Sequence, residues 1–225
     1  MTAPTRWTSR QAALVAGLGL LALAVLAALA NFAAIEPVVV AADPVRTAEN
    51  IAAGAAAFRL GILALLVAAA LDIVVACALR TMFAQVAPDL STLTAWFRVT
   101  YAAVFVAALS HLLGAARAAE SADAGTAALD GVVAFTDLWR LSLALFGVHL
   151  MLLGVLAWRA GFAPRVIAVL VAVAGASYLA DGVLTALVAE PAVEFARFAF
   201  VGEVTYLGWL LLYAAGRLGA SAPSR

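Results

Sequence analysis

Apolar residues run along this chain in long blocks, broken at fairly regular intervals by short polar stretches. The blocks are continuous rather than alternating. That pattern marks helices with apolar surroundings on every side, and it argues against a β-barrel. Several blocks approach the roughly 20 residues needed to cross a bilayer. They predict helices at about 11–31, 55–83, 91–115, 131–158, 164–189 and 192–218. The expected fold class is all-α: a polytopic membrane helix bundle with six transmembrane helices, residues 1–225 forming a single transmembrane domain. No internal repeat stands out, so an inverted-repeat transporter is not supported.

The polar breaks carry their own signals. Residues 35–50 read as a polar connection containing Glu36, Pro37, Asp43, Pro44, Arg46 and Glu49, with Thr47 placed to cap a following helix. Pro88 lacks a backbone donor and restricts Ala87, so Ala87-Pro88-Asp89 reads as a turn. Pro164 and Pro191 stand at helix starts, where a missing donor does no harm. The first block follows Arg6 and Arg10, as in a signal peptide, but it exceeds the usual signal core and reads as a retained helix. Ala168, Ala172, Gly175 and Gly182 recur at helical spacing, as do Gly147 and Gly154, which lets helices approach closely.

Composition agrees with a membrane address. The chain is 67% hydrophobic and 12% charged, with a mean hydropathy of +1.10. Its formal net charge is zero, which argues against a nucleic-acid partner. The lipid bilayer is the partner expected, and oligomeric state is not readable. Arg6, Arg10, Arg80, Arg159, Arg165, Arg217 and Arg225 gather on one side of the predicted bundle. Glu36, Asp43, Glu49, Glu120, Asp123, Asp130, Glu190 and Glu194 gather on the other, so both termini are expected to be cytoplasmic. Trp7, Trp96 and Trp158 would anchor the inner interface and Trp139 the outer. The single cysteine, Cys77, reads as a small buried apolar residue. No lysine occurs, which removes Schiff-base chemistry with retinal or pyridoxal phosphate and the Walker-type phosphate loop.

Charges inside the predicted spans are the candidate chemistry. A charge in hydrocarbon is costly, so such residues pair and face the bundle interior. Folding the second and third helices back at Pro88 brings Asp72 and Arg98 to similar depth, and their pairing is the expected organising centre. Counting about 1.5 Å per residue places Asp72, Arg98 and His149 in one layer, with Tyr101 a turn from Arg98. A second layer nearer the outside holds His111, Asp137, Arg140, Asp181 and Glu203, with Tyr178 a turn from Asp181 and Tyr206 a turn from Glu203. Asp181 and Glu203 have no basic neighbour a turn away, so their partners must come from another helix, where Arg140 or His111 could serve. Asp137 and Arg140 are spaced as an interfacial helix pair. Arg59 and Arg197 would snorkel to the outer interface.

Other chemistries find little support. The two histidines, His111 and His149, differ in estimated depth and belong to no HExxH motif, so no metal site and no cofactor are predicted. Each reads as a hydrogen-bonded interior histidine. Ser110 and His111 are adjacent on a helix and diverge by about 100°, which rules them out as a nucleophile–base pair. There is no GxSxG.

Several blocks have a familiar look: AAFRLG around Arg59, ALDIVVACAL around Asp72, AWFRVTYAAVF around Arg98 and Tyr101, FGVHLMLLGVL around His149, PRVIAVLVAVAGASYLAD ending at Asp181, and GEVTYLGWLLL around Glu203. Together, from about Ala55 to Leu212, they resemble the domain of unknown function 4386 family of bacterial integral membrane proteins. The resemblance implies a compact helical membrane protein, with no assigned reaction, substrate or cofactor. It also implies characteristic polar residues at Arg59, Asp72, Arg98, Tyr101, His149, Asp181 and Glu203, to which Tyr178 is added as a candidate binding residue from its position. The alanine excess and missing lysine suggest a high-GC bacterial host and hence the bacterial inner membrane.

The leading expectation is a protein that binds or moves a small polar solute or protons through a polar interior, with no catalytic residue assigned. An intramembrane enzyme with a His/carboxylate site, and a structural or assembly factor without chemistry, are the alternatives.

Overall fold

The computed structural model describes residues 7–121, 126–188, 195 and 199–217. Arg6, Asp123, Glu190, Pro191, Glu194, Arg197 and Arg225 lie outside the described residues, as do residues 189, 192 and 218 at the predicted helix ends. Helix makes up 88% of the structure, and no strand occurs among the described residues. The helices are α1 (Ser9–Leu29), α2 (Pro44–Ala53), α3 (Ala55–Phe83), α4 (Pro88–Ala119), α5 (Ala127–Ala160), α6 (Arg165–Leu187) and α7 (Ala199–Ala214).

The helix ends show where a hydropathy window misleads. α1 begins at Ser9, earlier than its apolar block. The Thr8 hydroxyl accepts from Gln11 N, and the Gln11 side chain accepts from Thr8 N, a reciprocal cap. Its far end does not break at residue 31. It continues as a π-helical turn, Ala30–Ile35, and a 3-10 turn, Glu36–Val38.

The expected polar connection at 35–50 is therefore mostly helical. Asp43, not Thr47, caps α2, its carboxylate accepting from Arg46 N at 2.9 Å with Pro44 next to it. Thr47 is buried inside α2, where its hydroxyl accepts from Val40 N at 2.9 Å. α4 starts at Pro88 rather than 91, and α5 extends at both ends beyond 131–158. α5 stops at Gly161, whose φ of 71° suits a residue without a Cβ.

Among the described residues, α1 and α3 to α7 close into a ring. Each packs against its sequence neighbour from α3 to α7, and α1 fills the gap between α7 and α3. α2 lies across one end, against α4 and α5. The α5–α6 seam is the most extensive, because the small residues of the two helices face one another. A methyl group on Gly147 would sit 2.5 Å from the Gly175 carbonyl oxygen, and one on Gly154 would sit 2.7 Å from that of Ala168. Without a hydrophobic drive between helices in lipid, such backbone approach supplies the packing contacts.

The outward faces are apolar, as at Leu63, Leu66, Val169 and Val173, all exposed. Cys77 is exposed among them, which corrects its expected burial: its neighbours Ile73 and Val74, one turn back on the same helix, are exposed too. Trp139 is not an interface anchor. Its ring lies inward, stacked on Phe135 at 6.0 Å. Among the described residues, five helices or helical runs are long and apolar enough to cross a membrane, from Ser9–Val38 to Arg165–Leu187. α7 is apolar but has only 16 described residues.

Candidate functional site

The site is built on Arg98 of α4. Arg98 is 2% exposed, and its guanidinium reaches three neighbouring groups. Its Nη2 lies 2.5 Å from Oδ1 of Asp72 on α3. The two opposite charges are in direct contact. Nη1 donates to Nε2 of His149 on α5 at 3.3 Å. The guanidinium carbon also lies 5.2 Å from the Phe146 ring centre, close enough for a cation–π contact. Arginine has no acceptor, so Nε2 of His149 must accept. The proton then sits on Nδ1, which donates to the Thr94 carbonyl at 2.8 Å. This chain of partners holds His149 as one neutral tautomer.

Phe146 joins this cluster to the opposite side of the ring. It packs against Tyr101 at 4.9 Å and His149 at 5.7 Å, and meets Tyr178 of α6 edge-on at 5.5 Å. The Tyr178 hydroxyl donates to Oε1 of Glu203 on α7 at 2.6 Å. Glu203 sits beside Gly202, which lets α7 close on the Leu170 carbonyl of α6.

Between these groups lies a cavity of about 330 Å³. Arg98, Tyr178, Glu203 and Tyr206 give it a polar end, and leucines of α1 and α5 give it apolar walls. Among the described residues, Nε of Arg98 and the Tyr206 hydroxyl have no hydrogen-bond partner, and both atoms are buried rather than open to the cavity. Buried polar groups are nearly always hydrogen-bonded, so these two are exceptions in the core.

Several expected placements change. Glu203 does not belong to a separate outer layer with Asp181; it shares a cavity with Arg98. Tyr178 lies 13 residues into α6 and Arg98 10 residues into α4. That is an offset of about 5 Å at 1.5 Å per residue, within reach of such long side chains. Glu203 is partnered by Tyr178, not by Arg140 or His111. His111 is exposed on α4 and is not an interior histidine. Asp181 stays outside the cavity and accepts from Phe195 N at 2.8 Å.

Arg59 does not merely snorkel: it pairs with Glu120 at 2.7 Å at the bundle end, away from the cavity. With side chains 43% and 49% exposed, that pair contributes little. Asp137 and Arg140 are both on exposed faces. Tyr101 remains beside the cluster, buried in the aromatic stack. Phe146 was missed, although its i−3 spacing from His149 marks the same helix face. The Thr94 carbonyl and the α1 wall carry no signal in sequence. Among the described residues, no three His, Cys, Asp or Glu side chains converge as metal ligands would.

The family described as domain of unknown function (DUF4386) matches residues 15–214. The chain belongs to that family. The match takes in α1 from residue 15 on, as well as every residue of the cluster, so it reaches further toward the N-terminus than the motif blocks do. A relative in Archaeoglobus fulgidus, named as an uncharacterized protein, is 31% identical over 142 residues, covering 63% of this chain and 76% of its own. No solved structure matches the chain.

Proposed function

We propose that this DUF4386 chain is a six-helix protein of the bacterial plasma membrane, with both termini cytoplasmic, that binds a small solute or protons in its ring and passes them across. The carrying observation is the cavity itself: a space of about 330 Å³ inside a ring of helices, with Arg98, Tyr178, Glu203 and Tyr206 at one end. Intramembrane ionisable groups facing a cavity are the usual makings of a solute or proton pathway. The segregation of arginines and acids supports the orientation. The place of α7 between α6 and α1 supports counting it as a sixth span, and the place of α1 in the ring supports its retention in the mature protein.

Reconstitution into liposomes with an internal pH dye tests the reading. Under an imposed potential the wild type is expected to move protons, and Glu203→Gln to lose that flux. Equal flux in the variant, or none in the wild type, counts against the proton pathway. An intact solute site would then have to show itself by binding alone.

A further inference from the structure

A passage through the ring, which rests on the reading proposed above, has to clear both ends of the bundle, and one end holds a plug. The plug is Phe162, in the turn 161–164 that joins α5 to α6. Its ring stacks on Phe83 of α3 at 5.7 Å, and on Trp209 and Tyr213 of α7 at 6.2 and 5.4 Å. Around the ring of helices, α3 stands opposite α6. A side chain that leaves the start of α6 and reaches α3 therefore crosses the middle of the bundle end. Phe83 is fully buried and Trp209 is 4% exposed, so the ring is seated in the core and not laid over the surface.

The plug lies in line with the cavity. Leu207 lines the cavity, and Tyr213 lies about 9 Å further along α7 at 1.5 Å per residue. Tyr206, also in the wall, packs on Trp209 at 5.6 Å, and Trp209 packs on Tyr213 at 5.5 Å. A run of aromatic rings thus leads from the cavity to Phe162. Leu156 of α5 and Leu210 of α7, both buried, stand between the cavity and the plug on their own helices. The element that carries Phe162 is stiff. Gly147 meets Gly175, and Gly154 meets the Ala168 carbonyl, with no side chain between the two backbones. At the base of the turn, the Arg165 guanidinium lies over the Trp158 ring at 5.1 Å and clasps α5 to α6. Close-packed elements shift as rigid bodies more readily than they deform.

We propose that Phe162 is the gate at this end of the bundle. The α5–α6 hairpin tilts as one body, withdraws the ring from between Phe83 and Tyr213, and opens the cavity to the side that the α3–α4 turn faces. The arrangement described here is the closed one.

The test uses the full chain in right-side-out and inverted membrane vesicles, with Cys77→Ala removing the native thiol. Leu207→Cys puts a thiol in the cavity wall. Gln85→Cys, at an exposed position in the α3–α4 turn, marks the gate side. A charged, membrane-impermeant methanethiosulfonate added from that side should reach Leu207→Cys slowly while Phe162 is present. Phe162→Ala should speed the reaction at least about tenfold, because losing the stacked contacts shifts the balance toward the open state. Phe162→Tyr keeps the ring and should stay slow. In liposomes, a short reducible cross-link between Phe162→Cys and Tyr213→Cys should stop proton flux, and reduction should restore it, which a misfolded variant would not do. Equal rates at Leu207→Cys with phenylalanine and alanine at 162, a rise of equal size from both sides, or flux that survives the cross-link would each overturn the gate. Gated reaction at Leu207→Cys without any flux that depends on Glu203 leaves the gate standing and removes the proton pathway. Flux that depends on Glu203, with ungated reaction at Leu207→Cys, does the reverse.

Discussion

Removing the charge from Asp72 is the most informative perturbation of this bundle. Asp72→Asn keeps the shape of the side chain and strands Arg98 at 2% exposure. Two opposite charges about 4 Å apart attract by about 4 kcal/mol at an effective dielectric of ~20. Breaking a buried pair by deleting one partner costs ~3–5 kcal/mol, because the other charge stays behind. Arg98 would retain His149 and the Phe146 ring, so the lower part of that range, ~3 kcal/mol, is expected. Arg98→Met should cost less. A stranded carboxylate can take up a proton, whereas a guanidinium cannot shed one. The double variant Asp72→Asn/Arg98→Met removes both charges and should recover most of the loss. Reversible unfolding in mixed micelles, by titrating dodecyl sulfate and following helix content, gives the three free energies. A coupling below ~0.5 kcal/mol would mean that the two sites act independently and that the pair does not organise the core.

Two further outcomes follow from the packing. Gly147→Ala and Gly175→Ala force a methyl group against backbone and should destabilise by ~1–3 kcal/mol in the same titration, whereas Gly114→Ala meets nothing within 4 Å and should stabilise by ~0.5–1 kcal/mol; similar effects at all three sites would refute the α5–α6 fit. Cys77 faces outward among apolar residues, so in liposomes it should react with an apolar maleimide and resist a charged one; equal labelling by both would place it in water instead.

Much of the architecture was readable from hydropathy, because a helix in lipid must be apolar along its whole length. The 55–83 helix matches its prediction end for end. The ends that differ are those where caps decide the boundary. The Thr8–Gln11 box and the Asp43–Pro44 start are local chemistry that a hydropathy window averages away. Pairing of Asp72 with Arg98 was also legible, since a single short turn joins their helices and leaves few other partners. The union of Glu203 with Tyr178 and Arg98 was not. It depends on α7 returning to lie against both α6 and α1, and no local rule specifies that closure.

By itself the sequence determined that long apolar helices had to be tucked around costly charges, because hydrocarbon cannot solvate them. Tertiary structure alone decided which helices became neighbours, and so which charges met. It closed the α1–α7 seam at Gly17 and left a cavity lined by Arg98 and Glu203. Residue spacing sets where a side chain sits along its own helix, but a cavity arises only where several helices fail to touch.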